Sequence, residues 1–349
     1  MLMVIFGAGA SYDSAEAFPA SIRGAMTYAT GGPWRPPLAM DLFINREGAF
    51  GDIVVKYPKL NHILPYLRKP RHGETVEQVL EFFQEQGKNS PETLRELASV
   101  QFYLCELLDK MTVEWSRQTN GTTNYGPLIR DILEFNRTGE EVCLVTFNYD
   151  LLLEQSLYSF SFKRRTPQEH LDAHPTLKLF KLHGSVNWSR TVEVAGMRLQ
   201  PQALIEQAPD LQVSNKFVLA NAATEWFQST QGSIFPAIAI PVQTKTEDHF
   251  ACPAAHREYL AQKLDWVTKI LIIGWQAGEA HFLRMLRNKL PLLTHVMVVG
   301  QHRPDSEQIM TRFLFDIGRI DFPLHNQFFG TGGFTKFIVE REGDAFFTA

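Results

Sequence analysis

Five short runs of this sequence end in small or polar residues whose types suit chemistry on a nucleotide or a sugar. They are GAGAS (7–11), TFNYD (146–150), KLHGS (181–185), IIGW (272–275) and VVGQ (298–301). In the first, glycines at 7 and 9 permit a tight turn and let backbone approach a phosphate, whose charge a following helix N-terminus favours. The same residues suit an ordinary strand-to-helix turn. In the second, Asn148 could hold a water or a ribose hydroxyl, and Asp150 could accept a hydrogen bond from a carboxamide. Equally, Asp150 could cap the helix that follows while Asn148 makes a local Asx-turn. His183 has the side chain that titrates nearest neutrality and could take a proton from a sugar hydroxyl or a water, although a lone histidine is more often structural. Gly184 lets another group come close, and Ser185 adds a donor. Taken singly each run is a turn; five in one chain point to a shared nucleotide site.

The elements that must position these runs read as strands. LMVIF (2–6), EVCLVTF (141–147), LKLFKL (177–182), KILIIGW (269–275) and HVMVVG (295–300) are mostly continuous apolar runs, as in strands buried on both faces of a parallel sheet. Helical patterns follow several of them: DLLLEQSL, HFLRMLRNKL and DSEQIMTRFLFDIG. The alternation indicates an α/β fold, a Rossmann-like doubly wound parallel sheet with ligands outside the carboxyl ends of its strands. Two stretches interrupt it. Residues from about 32 to 138 hold two amphipathic helices and no strand: ETVEQVLEFF with Val76, Val79, Leu80 and Phe83 on one face, and a longer one with Ser90 as N-cap and Pro91 at its first position. This is an inserted helical subdomain. Residues from about 188 to 240 read as a smaller, looser mixed insertion.

Composition narrows the function classes. The chain has 349 residues, 44% hydrophobic and 21% charged, with a formal net charge of −4, which gives no electrostatic reason to expect direct binding of nucleic acid or membrane. Three scattered cysteines (Cys105, Cys143, Cys252) suit a reducing cytoplasm. The first residues carry no basic leader, and no apolar stretch nears the ~20 residues of a membrane helix. His249, Cys252 and His256 have ligand-like spacing, but no second pair completes a tetrahedral set, so no metal is expected. Lys163, Arg164 and Arg165 read as a solvated face. FFG (328–330) with GTGGF (330–334) reads as a flexible glycine turn, either a lid or a hairpin. A standard dehydrogenase is disfavoured: Tyr12 stands where the dinucleotide fingerprint has its third glycine, and no acidic residue ends a second strand about twenty residues on.

The ordered set GAGAS, TFNYD, LHGS and IIGW resembles the sirtuin-like (SIR2) superfamily, and is most similar to the SIR2 domains of bacterial antiphage defence systems, which RPPLAMDLF (35–43) also resembles. The resemblance covers residues 1–11, about 141–188 and 265–303, framing one SIR2-like domain over 1–349. It implies an NAD⁺ glycohydrolase, with NAD as substrate. Gly7, Ala8, Gly9, Ala10 and Ser11 would cradle the diphosphate and neighbouring ribose. Asn148 would position the water or the nicotinamide ribose, Asp150 would orient the carboxamide or the reacting ribose, and His183 would be the general base. Thr146, Gly184, Ser185, Gly274, Trp275 and Gln301 would make further contacts to the dinucleotide. Asn148 and His183 are expected to converge beside the first glycine turn.

Departures from the family pattern matter too. Three scattered cysteines cannot form the four-cysteine zinc ribbon of protein-deacylating sirtuins. FPASIRGAM (18–26) lacks their proline–aspartate–phenylalanine–arginine loop. The resemblance therefore favours NAD⁺ hydrolysis over peptide deacylation or ADP-ribosyl transfer; a silent NAD⁺- or ADP-ribose-binding module is the other alternative. It further implies a homo-oligomer and a regulatory partner encoded nearby, such as a HerA-type ATPase, a short Argonaute or another sensor, through which alone nucleic acid would be engaged.

Overall fold

The computed structural model describes residues 1–20, 32–45, 50–71, 73–136, 139–193, 199–220, 232–242 and 250–349. The apolar runs form strands β1 (Leu2–Phe6), β2 (Val142–Thr146) and β3 (Leu177–Lys181). Next come β4 (Gly184–Val192), β5 (Val213–Leu219) and β6 (Ile234–Ile238). The last three are β7 (Lys269–Ile273), β8 (His295–Val299) and β9 (Gln327–Gly330). Six of them build an all-parallel sheet in the order β3-β2-β1-β7-β8-β9. Counting only these strands, that order is 3-2-1-4-5-6, the Rossmann arrangement, and its direction of growth reverses between β1 and β7.

Period-two alternation sorts the side chains onto two apolar faces. Met3, Ile5, Cys143, Val145, Ile270 and Ile272 pack with helices Ala254–Lys263, Ala280–Lys289 and Arg303–Asp316. Val4, Phe6, Leu144, Leu271 and Ile273 pack on the other side with Tyr125–Phe135, Leu152–Tyr158 and Gly333–Val339. Burial on both faces explains the unbroken hydrophobic runs.

A separate apolar cluster joins the helical segment to the small sheet. Helix Val76–Gly87 starts in a capping box between Thr75 and Gln78, and buries Val76, Val79 and Leu80 as its spacing predicts. Helix Pro91–Gln118 is capped by Ser90 and, at 28 residues, runs about 42 Å. That length lets Leu97 to Met111 pack in the insertion while Trp115 reaches the core under the main sheet.

Two expectations need correction. Residues read as a loose insertion form an antiparallel sheet, β5-β4-β6, with Phe217, Val218, Phe235 and Ile238 buried; in β4 the polar Ser185, Asn187 and Ser189 are buried between apolar neighbours, so the segment reads as more polar than its burial. Residues 194–198 and 221–231 of that insertion lie outside the described residues. The FFG–GTGGF stretch is neither lid nor hairpin. It contributes edge strand β9, parallel to β8, and its turn is pinned because Gly332 N–H donates to Gln301 O and Gly333 N–H to Gly300 O, both at 3.0 Å.

Candidate active site at the sheet's switch point

The first glycine turn and the turn after β7 interlock. Gly7 N–H donates to Ile273 O at 3.1 Å and Gly9 N–H to Gly274 O at 3.0 Å. A Cβ on Gly7 would stand 2.5 Å from Gly274 O and 2.6 Å from Trp275 Cα. Gly274 itself has φ +61°, and a Cβ there would meet Ala10 N at 2.2 Å. Close backbone approach between the two central strand ends thus accounts for these glycines without any ligand. Ala10 N–H donates to Gly7 O at 2.9 Å, so the amides of Gly9 and Ala10 are both engaged inside the protein. Ala8 and Ser11 complete the short helix Ala8–Tyr12.

At the end of β2, Asn148 turns away from the local Asx-turn that its sequence context also allows. Its N–H donates to Thr146 Oγ1 at 3.0 Å. Its side-chain Nδ2 donates to Gly7 O at 2.9 Å and to Ser11 Oγ at 3.0 Å, contacts that span 141 and 137 residues of chain. A carbonyl can only accept, so the nitrogen must be the atom facing Gly7 and the amide orientation is set. With both amide hydrogens engaged, Oδ1 is the group left to act on anything else. Ser11 also shares a 2.9 Å hydrogen bond with the Tyr125 hydroxyl. Ser11, Tyr125 and Asn148 are all buried. Burial, reinforced by the nearby Asp150 carboxylate, holds the Tyr125 phenol far above its usual pKa, so it stays protonated.

Asp150 makes an Asx-turn: its half-buried carboxylate accepts the Leu152 N–H at 3.1 Å, one residue ahead of Leu151, the N-cap of helix Leu152–Tyr158. Beneath it, Lys181 is fully buried and donates to Asp150 O and, at 2.7 Å, to Glu154 Oε1. Burial raises the Glu154 pKa, against the opposing charge of Lys181.

His183 lies with Leu182 in the two-residue turn between β3 and β4. Thr146 and Lys181 are paired in register, and Asn148 and His183 each lie two residues further on. The His183 ring packs 4.8 Å from Phe147 and 6.2 Å from Tyr149, the two residues that flank Asn148. Phe147 in turn stacks on Trp275 at 5.4 Å. Asn148 is therefore brought against the glycine turn, and His183 against the aromatic residues on either side of Asn148. Tyr149 is clamped by β4: its carbonyl accepts from Val186 N at 2.9 Å and Ser185 Oγ at 3.5 Å. Gly184, at φ +84°, lies so close to β6 that a Cβ would stand 1.8 Å from Ala237 O. Trp275 Nε1 donates to Glu279. Gln301 is half-buried on the opposite flank, where Gly333 lies between it and Asp13.

Three residues that sequence reasoning missed stand out here. Tyr125 opens a helix with no motif around it. Lys181 betrays itself only as an ionisable residue inside an apolar strand. Arg35, within RPPLAMDLF, lies 4.5 Å from the Tyr12 ring centroid and donates to Tyr12 O at 3.1 Å and to Phe18 O, tying down the chain after the glycine turn.

Of the ligand-like trio, His249 lies outside the described residues. Cys252 is a buried thiol pushed up to about 12, and His256 Nε2 is 2.7 Å from Pro167 O. Among the described residues the one His/acid trio close enough to share an ion is His62, Glu92 and Glu96, where Lys59 and Arg95 already neutralise Glu92 at 2.7 and 3.1 Å. Lys163, Arg164 and Arg165 are exposed, as expected. Residues 21–26 of FPASIRGAM lie outside the described residues. Among the described residues no helix is long and apolar enough to cross a membrane.

No protein-family model and no curated protein sequence matches this chain. Among solved structures, it is similar to a complex of a SIR2 homologue with NAD, with a TM-score of 0.38 and 11% identity over 99% of this chain and 90% of that one. It is similar also to a Sir2 enzyme (TM-score 0.34, 11% identity, 92% of this chain and 93% of that one). A third is a mutant Sir2 homologue with ADP-ribose (TM-score 0.35, 9% identity, 93% and 94%). Scores this low do not by themselves establish a shared fold; the strand order does that for the α/β class.

Proposed function

We propose that this protein hydrolyses NAD⁺ to ADP-ribose and nicotinamide. The observation that carries the reading is the Asn148 amide seated on the Gly7 carbonyl and the Ser11 hydroxyl, which joins two motifs across 141 residues at the sheet's switch point. Ligands of doubly wound sheets bind in that crevice. Nicotinamide leaves from a cationic nitrogen and needs no general acid, so the site must hold the ribose, support an oxocarbenium-like transition state and admit one water. Asn148 Oδ1 suits a water or ribose hydroxyl. His183 is the general base, a role typically worth ~10²–10⁴-fold in rate. Asp150 holds the turn that presents Asn148.

Binding of NAD⁺ or ADP-ribose without cleavage is the second reading, favoured by the burial of His183, whose exposure of 3% leaves little surface for a water. Under the first reading, that burial is relieved by oligomerisation, as suits an effector of antiphage defence acting by NAD⁺ depletion. Nicotinamide release by wild type, Asn148→Ala and His183→Ala, each assayed alone and across the oligomeric states separated by size exclusion, tests the reading. Release by wild type and its loss by at least ~100-fold in both folded variants is expected. Undiminished release by both variants, or tight NAD⁺ binding with no release in any state, rejects it.

A further inference from the structure

The segment Thr123–Tyr125 joins three parts of the chain: the stretch Ser11–Ser14 after the glycine turn, helix Leu152–Tyr158 and Thr335. Thr123 Oγ1 shares a 2.8 Å hydrogen bond with Ser156 Oγ on helix Leu152–Tyr158. Asn124 Nδ2 donates to Asp13 O at 2.9 Å and to Thr335 Oγ1 at 2.8 Å, and its N–H donates to Ser14 O. Tyr125 reaches Ser11. All three side chains are buried. The phenol ring is packed edge-on between Phe6 and Phe334, at centroid distances of 5.4 and 5.5 Å, so its hydroxyl has a defined direction.

The Ser11 hydroxyl is the joint of this arrangement. It accepts from Asn148 Nδ2 while sharing a second hydrogen bond with Tyr125. A serine hydroxyl rotates freely unless its partners hold it. Without the phenol oxygen, Ser11 Oγ, at 2% residue exposure, is left one hydrogen-bond partner short in a buried place, and its side chain is free to turn about χ1 and release one of the two anchors on Asn148. We infer that Tyr125 is a positioning residue for the reaction: through Ser11 it holds the Asn148 amide in the one orientation that directs Oδ1 to the substrate. This rests on the NAD⁺-hydrolase reading for its consequence in rate, but the hold on Asn148 is independent of it.

Tyr125→Phe removes one oxygen and keeps the ring, and Ser11→Ala removes the joint. If the path runs through Ser11, kcat for nicotinamide release falls in Tyr125→Phe by about tenfold with KM little changed, since small misplacements of a reacting group are costly. The double variant is then no worse than Ser11→Ala alone, because the two residues act on one target. A purely structural tyrosine would lower the melting temperature and leave kcat of the folded protein unchanged, and additive losses in the double variant would place Tyr125 on another path; either result overturns the inference. A second measurement separates it from the functional reading. The side-chain amide signal of Asn148, identified by its disappearance in Asn148→Asp, is expected to be protected from hydrogen exchange in wild type and unprotected in Tyr125→Phe. If wild type releases no nicotinamide, the hydrolase reading fails, and this signal alone decides whether Tyr125 holds Asn148; unchanged protection in folded Tyr125→Phe defeats it.

Discussion

His170 and His256 lie stacked in the core, ring centroids 6.2 Å apart and planes within 9°, with the edge of Trp188 against both. Burial lowers their pKa values from 6.5 to about 3 and about 4, and for His170 the neighbouring His256 adds to the effect. Above pH 6.5 both rings are neutral in the folded and unfolded chain, so they contribute no pH dependence. Below it the unfolded chain takes up two protons that the folded chain refuses until pH 4 to 3, so stability must fall as pH falls through that window. With 1.36 kcal/mol per pKa unit, each ring removes about 2 kcal/mol between pH 7.5 and 5, and the pair about 4 kcal/mol. Domains of ordinary stability hold only about 5–15 kcal/mol, so the loss is large. Urea unfolding followed by circular dichroism at pH 7.5, 6 and 5 measures it. Glutamine at both positions keeps a donor for Pro167 O beside the former His256 and cannot titrate. The double variant should lose only the smaller remainder contributed by groups such as His174 and His295, whose pKa values burial also lowers. A wild-type unfolding free energy unchanged between pH 7.5 and 5, or a double variant that keeps the full loss, would refute the reasoning.

Other perturbations test the supporting structure. Gly274→Ala places a methyl 2.2 Å from Ala10 N and 2.5 Å from Gly9 C at a positive φ, with backbone on both counts; a loss of at least about 3 kcal/mol in unfolding free energy is expected, or no soluble protein. Lys181→Met strands the buried Glu154 carboxylate and should cost about 3–5 kcal/mol by chemical denaturation, while Lys181→Met with Glu154→Leu recovers most of it. Asp13→Ala removes the carboxylate that accepts from Thr335 N at 3.0 Å, Thr335 Oγ1 at 2.8 Å and Ala20 N at 2.8 Å; a stability loss of about 2 kcal/mol and faster amide exchange in helix Gly333–Val339 should follow.

The parallel sheet was legible because its cause is local. Strands covered on both faces must be apolar at nearly every position; LMVIF is apolar throughout, and VCLVT and KILII depart from it only at their terminal Thr146 and Lys269. The edge strand QFFG escaped because it is four residues long and ends in glycine, so its composition is that of a turn; only its pairing with β8 makes it a strand. The antiparallel sheet escaped for a related reason. β4 interleaves Ser185, Asn187 and Ser189 with Val186 and Trp188, and β5 carries the exposed pair Asn215 and Lys216 before the buried pair Phe217 and Val218, so the hydrophobic signal is diluted.

The site divides along the same line, between residues whose job is decided by their neighbours in sequence and residues whose job is decided across space. Asp150 was readable as a local turn residue, although it bonds the N–H two residues on as an Asx-turn while Leu151 is the N-cap. The glycines at 7 and 9 were readable as positions of close approach and Gly274 as a turn, but the approaching atoms belong to each other's turns. Tyr125 had no local reason to be noticed, since its hydroxyl meets Ser11 across 114 residues and Asp13 meets Thr335 across 322. A hydrogen bond is directional and satisfies particular atoms, so nothing in the composition around either partner announces it. Apolar pattern therefore assembles the sheet and brings the strand ends together, and buried polar pairs decide which way Asn148 faces once it arrives. An evolutionary or engineered change that preserves the motif residues but alters Tyr125 should leave the sheet standing and release the amide.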